Sequence, residues 1–298
     1  MSALKELDRV KYKSAISNNE LVQPFLKWAG GKRQLIPKIR SLVPRKYRVY
    51  FEPFVGAGAL LFELQPTRAV INDVNSELIN CYDVIKDHPE QLLKHARSHP
   101  INKKYFYRLR SQDRDPDFVK LSALERASRI IFLNKTCYNG LFRVNSRGQF
   151  NVPFGKYTDP TVVDDNVIKA VSQYLNDANV QILNKDFEMA VKDAKRDDFV
   201  YFDPPYDPIS DTSSFTGYNL PYFDRAEQQR LREVCDDLHR RGCKVLLSNS
   251  ATEFIQDLYS DSTKYTIINV PANRSINSVG NSRGKVNELL IFNNYDRD

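Results

Sequence analysis

Short runs of β-branched and aromatic residues recur along the chain, each closed by a turn signal and followed by a segment of helical period. Arg48-Val-Tyr-Phe51 stops at the Gly-containing turn Val55-Gly-Ala-Gly58, and a helical pattern, Ala59–Leu64, follows. A second run, Ala69-Val-Ile71, ends at Asn72-Asp73. Further strands are predicted at Val180–Leu183, Phe199–Phe202, Lys244–Leu247, Tyr265–Ile268 and Leu289–Phe292, with a helix over Arg225–Arg241. Strands alternating with helices predict an α/β fold whose mostly parallel sheet is covered on both faces. The rhythm breaks in the middle. Residues Ile79–Asn134 read as helical almost throughout, and then Leu141–Asn145 and Gln149–Val152 flank Ser146-Arg-Gly148, the pattern of a β-hairpin. The organisation expected is a polar extension (residues 1–20), a sheet domain (21–75 and 165–298) and an inserted helical and hairpin domain (76–164).

With 298 residues, 41% hydrophobic and 27% charged, the chain is of ordinary globular composition, which excludes collagen-like and fully disordered classes. No apolar run approaches the ~18 residues of a membrane span. The start, MSALKELDRVKYKSAISNNE, lacks the apolar stretch of a secretory leader. Cys81, Cys137, Cys235 and Cys243 form no C-x-x-C pair, so neither a disulfide framework nor a zinc site is expected, and a reducing cytoplasm fits. They read as half-buried thiols. Lys and Arg (44) exceed Asp and Glu (37), for a net charge of +7, which is informative only if clustered. Part of it is. The 24 residues Asn134–Tyr157 hold Lys135, Arg143, Arg147 and Lys156 with no acid, and also Tyr138, Phe142, Phe150, Phe154 and Tyr157.

Three segments carry candidate chemistry. In Glu52-Pro-Phe-Val-Gly-Ala-Gly58 the glycines permit positive φ and a close ligand approach, and Asp73 sits where an acid accepts hydrogen bonds from ribose hydroxyls. A dinucleotide fingerprint would place a third glycine at position 61, where Leu61 stands, so a nucleoside cofactor without a pyrophosphate matches better. Taken alone, a plain turn with a solvated Asp reads equally well. Upstream, Phe25-Leu-Lys-Trp-Ala-Gly-Gly-Lys32 joins the chain's single Trp to two cations, and by itself it reads as a helix start with Trp28 in the core. Asp203-Pro-Pro-Tyr206 follows an apolar strand, at the end where open α/β sheets place ligands. Its prolines remove two N–H donors, leaving the Asp203 carboxylate and the Pro204 carbonyl as acceptors beside an aromatic face, Tyr206. That set suits the exocyclic amine of a planar base.

Together these residues resemble the Dam-type family of S-adenosylmethionine-dependent DNA adenine-N6 methyltransferases. The resemblance runs through Phe25–Lys32, Glu52–Gly58, Ile71–Ile79, Tyr138–Tyr157, Tyr201–Tyr206, Ser248–Ser250 and Arg274–Ile276, with 145 residues separating Gly58 from Asp203. It implies a Rossmann-like methyltransferase sheet carrying an inserted helical and β-hairpin DNA-recognition domain. It also implies that Trp28, Lys32, Phe54, Gly56, Gly58, Asp73 and Asp203 border S-adenosylmethionine, with Asp186 and Phe187 near its adenine. Asp203, Pro204, Pro205 and Tyr206 would be the catalytic motif. Arg143 and Pro153 would read bases with Leu141 beside them, Tyr138 and Asn139 would insert near a flipped adenine, and Lys27, Tyr157 and Arg274 would touch DNA. The site implied is GATC in double-stranded DNA, with no metal, for a monomer acting in the cytoplasm of a bacterial or phage-infected cell. Three other readings stay open at this level: methylation of an RNA or protein amide, where Asn-Pro-Pro-Tyr is the commoner motif; a DNA-binding protein without catalysis; and a nicotinamide oxidoreductase, against which Leu61 counts.

Overall fold

The computed structural model describes residues 19–28, 32, 34–208, 223–273 and 285–297. Expectations for residues 1–18, for Arg274 and for the rest of 274–284 lie outside these. Every strand predicted for the sheet is present. In chain order they are β1 (Tyr50–Glu52), β2 (Ala69–Asn72), β3 (Val180–Leu183), β4 (Phe199–Phe202), β5 (Lys244–Ser250), β6 (Thr266–Asn273) and β7 (Lys285–Phe292). They form one sheet of order β3-β2-β1-β4-β5-β7-β6. The pairs β3–β2, β2–β1, β1–β4 and β4–β5 are parallel, and β7 runs antiparallel between β5 and β6. The order reverses between β1 and β4. At such a switch point the connections leave in opposite directions, and a crevice opens at the strands' carboxyl ends. The segments after β1 and β4 are the Gly turn and Asp203-Pro-Pro-Tyr206.

Side chains alternate across the sheet with the period-2 geometry of strands. Tyr50, Phe199, Tyr201 and Leu246 point into one apolar layer. Phe51, Val200, Phe202 and Leu247 point into the other, which the helix Arg225–Arg240 closes through Leu231, Val234 and Leu238. The helices are α1 (Ile36–Arg40), α2 (Ala59–Leu64), α3 (Ser76–Asp87), α4 (Pro89–Arg97), α5 (Lys103–Ser111), α6 (Ala123–Thr136), α7 (Asp165–Asp177), α8 (Phe187–Ala190), α9 (Arg225–Arg240) and α10 (Glu253–Leu258). The long helical stretch divides where its sequence supplies caps. Pro89 opens α4, the Asn102 side chain accepts the Tyr105 N–H to start α5, and Ser122 with Glu125 forms a capping box on α6. The first apolar layer continues without a break from the sheet into these helices, through Tyr82 of α3, Phe106 of α5 and Ile130 of α6.

The hairpin is present in outline only. Its turn closes through Asn145 N–H to the Gln149 carbonyl and Gly148 N–H to the Asn145 carbonyl, with Gly148 at φ 74°. The two arms meet at isolated antiparallel bridges, Val144–Phe150 and Cys137–Phe154, without forming continuous strands. A two-stranded arm leaves half its backbone groups facing outward, and here side chains from the α5 region take them. Pro153, which has no N–H, further interrupts the ladder. The four cysteines are all fully buried, deeper than the sequence suggests. Burial pushes the Cys137 thiol up to about 12, so it stays a thiol.

Candidate active site

Asp203 lies at the carboxyl end of β4 with one carboxylate oxygen fixed twice. Oδ1 accepts from Lys32 Nζ at 2.8 Å and from Ser248 Oγ at 2.8 Å. Because Ser248 donates to Asp203, the Tyr201 hydroxyl at 3.0 Å donates to Ser248. No described residue bonds Oδ2. Lys32 is buried, which alone would lower its pKa, but the facing Asp203 carboxylate outweighs that and the net direction is up. Its ammonium also lies 4.5 Å above the Tyr206 ring, a cation–π contact. Burial, with the Asp203 and Glu288 charges, pushes the Tyr206 phenol well up, and its hydroxyl donates to Glu288 Oε2 at 2.9 Å. Tyr206 therefore acts as a ring and a donor, never as a base.

The two prolines differ in what their carbonyls do. Pro205 O accepts from Gln228 Nε2 at 2.8 Å, and Gln228 Oε1 accepts from Asn249 Nδ2 at 3.0 Å. Asn249 Oδ1 in turn accepts the Asp207 and Ser250 N–H groups. Gln228 and Asn249 are buried and fully committed. No described residue donates to the Pro204 carbonyl. Among the described residues the motif thus keeps two acceptors available, Asp203 Oδ2 and Pro204 O, on a backbone held rigidly from behind.

The Gly turn lies alongside, across the β1/β4 reversal. Gly56 and Gly58 have φ of 50° and 74°. A Cβ at Gly58 would come 2.7 Å from the Tyr82 hydroxyl, and one at Gly56 would come 3.1 Å from Trp28 Cδ1. The glycines are thus required by backbone conformation and by protein neighbours. Asp73, at the end of β2, accepts the Gly56 N–H (3.1 Å) and the Asn75 N–H (2.9 Å). Burial raises its carboxyl to about 6 against the lowering effect of those two bonds. Phe54 packs its half-buried ring 5.4 Å from Phe187 and 5.6 Å from Phe223. Asp186 caps α8 through the Glu188 N–H, and its carboxylate is paired with Arg230 at 2.7 Å, which holds its pKa down. Arg230 also lies 4.1 Å over the Phe187 ring.

Trp28 does not begin a helix. The Lys27 N–H and carbonyl are both bonded to the buried Asn134 side chain, which commits that backbone to a non-helical path, and α1 starts at Ile36. The Trp28 ring stacks on Phe142 of the hairpin at 4.5 Å. On the hairpin side, Lys27, Tyr138, Asn139, Arg143 and Pro153 are exposed, while Leu141 and Tyr157 are half-buried. Tyr138 N–H donates to the Pro153 carbonyl at 2.9 Å, so these two lie together. Lys27 Nζ sits 5.4 Å from the Tyr157 ring centre. Arg143 Nε donates to Asn151 Oδ1 at 2.8 Å across the arms. Arg274 lies outside the described residues.

Sequence reasoning missed several members of this site. Glu52 is buried beside it, bonded to the Tyr50 hydroxyl at 2.9 Å, and burial pushes its carboxyl well up. Asn72 joins the Pro53 carbonyl to Lys185, through its carbonyl and N–H, and so clamps the Gly turn to the loop after β3. Gln228 and Glu288 were likewise unmarked. Their one available signal is polarity at positions where the strand or helix period demands a buried residue.

This sheet order, with a Gly turn after β1 and an acceptor-rich Pro-Pro turn after β4, defines a Rossmann-like amino-methyltransferase. The chain belongs to the D12 class N6 adenine-specific DNA methyltransferase family, which it matches over residues 28–276. It is 48% identical over 274 residues to the type II methyltransferase M1.LlaDCHI of Lactococcus lactis subsp. cremoris, covering 91% of this chain and 95% of that one. It is 40% identical over 292 residues to the type II methyltransferase M.MjaIII of Methanocaldococcus jannaschii, covering 91% and 99%. It is 34% identical over 268 residues to the DNA adenine methylase of Escherichia coli K12, covering 90% and 94%. Membership implies DNA as substrate and S-adenosylmethionine as methyl donor. Among the described residues no helix is long and apolar enough to cross a membrane, and no group of His, Cys, Asp and Glu could hold a metal ion.

Proposed function

We propose that the chain methylates N6 of a flipped-out adenine in double-stranded DNA, within GATC. The observation that carries the catalytic part is the asymmetry of Asp203, with Oδ1 held by Lys32 and Ser248 and Oδ2 left for a substrate. Asp203 Oδ2 and the Pro204 carbonyl accept the two N–H groups of the amine, and Tyr206 carries the base ring. Accepting both N–H bonds orients a nitrogen whose lone pair is otherwise delocalised into the ring. The catalytic contribution of these residues is positioning and electrostatics, delivered without reorganisation because Lys32, Ser248 and Gln228 already hold the motif.

The residues around the crevice fit S-adenosylmethionine. Asp73, a half-buried carboxylate held by two backbone N–H groups, suits ribose hydroxyls, and Trp28 and Phe54 offer half-buried aromatic faces beside Gly56 and Gly58. Asp186 and Phe187 border the far side, with Asp186 already engaged by Arg230. Bound S-adenosylmethionine supplies a methyl group activated by its sulfonium charge, so no metal is required.

For DNA, Tyr138 and Asn139 enter the duplex, and Arg143, Leu141 and Pro153 meet the base edges. Lys27, Tyr157 and Arg274 flank them. An Arg is the commonest partner of guanine, and apolar groups suit the thymine methyl. In this division residues 76–164 carry target recognition, while 21–75 and 165–298 carry the donor and the chemistry.

The test is incubation with S-adenosylmethionine and GATC-containing DNA, followed by nucleases that distinguish methylated from unmethylated GATC. Protection confined to GATC is expected. Methyl incorporation without GATC protection would remove the site assignment and leave the chemistry; no incorporation into any DNA would remove both.

A further inference from the structure

The returning arm of the hairpin is held from behind by groups that touch neither the crevice nor the exposed readers. Asp113, in the turn after α5, is nearly buried at 10% side-chain exposure and accepts the Phe150 backbone N–H through Oδ2 at 2.7 Å. The same carboxylate pairs with Arg129 of α6 at 2.9 Å and with Arg114 at 2.7 Å. Arg129 is 2% exposed and spends its other donors on the α5 end, Nε to the Leu109 carbonyl (2.9 Å) and Nη2 to the Arg110 carbonyl (2.8 Å). Arg114 donates to the Phe150 carbonyl at 2.9 Å, and Arg110 to the Val152 carbonyl at 3.1 Å. Both outward-facing backbone groups of Phe150 and the carbonyl of Val152 are therefore fixed by charged side chains.

The residue between them, Asn151, is the one that holds Arg143. Its N–H donates to the Arg143 carbonyl at 3.0 Å, and its Oδ1 accepts from Arg143 Nε. A continuous set of bonds thus runs from Arg129 through Asp113, Phe150 and Asn151 to the guanidinium that faces outward. A regular sheet would provide this stiffness through a third strand; two isolated bridges cannot. The charge arrangement is also selective. A carboxylate this close to a DNA-facing hairpin would repel phosphates if it stood alone, and two guanidinium groups more than neutralise it.

We propose that Asp113, seated on Arg129, is a positioning residue for site specificity, which fixes the returning hairpin arm at Phe150 and thereby aims Arg143 at its base. The proposal rests on Arg143 being a base reader, as argued above.

Removing one partner alone would leave a buried charge unpaired and could unfold the insertion, so the decisive variants change both. Asp113→Ala with Arg129→Leu removes the anchor and the charge together. Asp113→Asn with Arg129→Leu removes the charge but keeps an acceptor for the Phe150 N–H. Arg143→Ala is run beside them. For each, kcat and KM for DNA are measured on GATC and on sites with one base changed, with S-adenosylmethionine affinity by calorimetry and the thermal midpoint.

The first double variant should lose roughly tenfold or more in discrimination, the scale of one good base contact. The loss should fall mainly on KM for DNA, with S-adenosylmethionine affinity unchanged. The second should recover most of it. Undiminished discrimination in the first variant, whatever its thermal midpoint, overturns the proposal, as does a second variant no better than the first. If Arg143→Ala relaxes specificity while the first double variant does not, only the anchoring role fails. If Arg143→Ala discriminates as well as the parent, the base-reading assignment fails and takes the proposal with it.

Discussion

The end of β4 and the hairpin hold their functional side chains in opposite ways. Around Asp203-Pro-Pro-Tyr206 the supporting polar groups are buried, with Ser248, Asn249 and Ser250 at 0% and Gln228 at 1% exposure; Ser248 and Gln228 bond the motif directly, and Asn249 and Ser250 hold the adjoining Asp207. On the hairpin the proposed readers Tyr138, Asn139, Arg143 and Pro153 are exposed, Tyr138 at 53%, and the rigid groups lie behind them on the backbone of the returning arm. The difference follows from the task. A reacting nitrogen must meet acceptors that do not reorganise, so those acceptors are fixed inside the protein. Base edges lie in a groove, so their readers must project, and any stiffness must reach them from the rear.

Asp203→Ala attacks the first arrangement most severely. Turnover should fall on the order of 1000-fold, as when a preorganised transition-state contact is removed, while salt-sensitive DNA binding persists. Methyl incorporation and a binding titration read the two separately, and parental turnover would end the catalytic assignment. Arg143→Ala addresses the second arrangement and should cost ~1–3 kcal/mol at its guanine, with relaxed specificity at that base. Equal weakening across all sequences would instead make Arg143 a phosphate contact.

Gln228→Leu asks whether the buried scaffold matters for itself. It strands the Pro205 carbonyl and the Asn249 amide, so denaturant unfolding should show a loss of about 1–3 kcal/mol, with kcat lowered and hairpin discrimination intact. Asp73 supplies a pH test. Its carboxyl is raised to about 6, so it is ionised and able to accept from ribose hydroxyls above that pH and protonated below it. Calorimetric affinity for S-adenosylmethionine should hold from pH 8 to near 6 and then fall by at most about tenfold per unit. An Asp73→Asn variant should bind weakly at every pH, and a flat profile in the parent would remove Asp73 from the donor site. The smallest effect belongs to the exposed pair Lys169–Glu90, 3.0 Å apart. Glu90→Gln should move stability by less than ~1 kcal/mol and leave both regions untouched.

The strands were legible because each is an apolar run ended by a turn residue, and their frames are right to within a few residues. Arg48-Val-Tyr-Phe51 is displaced to Tyr50–Glu52, and Lys244–Leu247 extends through Ser250, since polar Ser248 and Asn249 broke the apolar pattern while remaining fully buried. The hairpin turn was visible through its Ser-Arg-Gly, but its weak pairing was not, because the competitors for its backbone groups, Asp113 and Arg114, lie far from it in sequence. The same holds at the crevice. The motif Asp203-Pro-Pro-Tyr206 announces itself by composition, whereas Lys32 reads as part of a helix start, and only the fold brings its ammonium to Asp203. Periodicity reports which side chains are inside; it does not report which polar ones bond each other once there.

Trp28 is the chain's only tryptophan; its ring stacks on Phe142 of the hairpin and also lies close to Gly56 of the glycine turn. Its indole is therefore a native fluorophore placed where both halves of the molecule meet. Emission excited selectively at the red edge of aromatic absorption comes from this ring alone, so a titration of either DNA or the methyl donor can be followed in the unlabelled protein. A change in its colour or lifetime has one structural address.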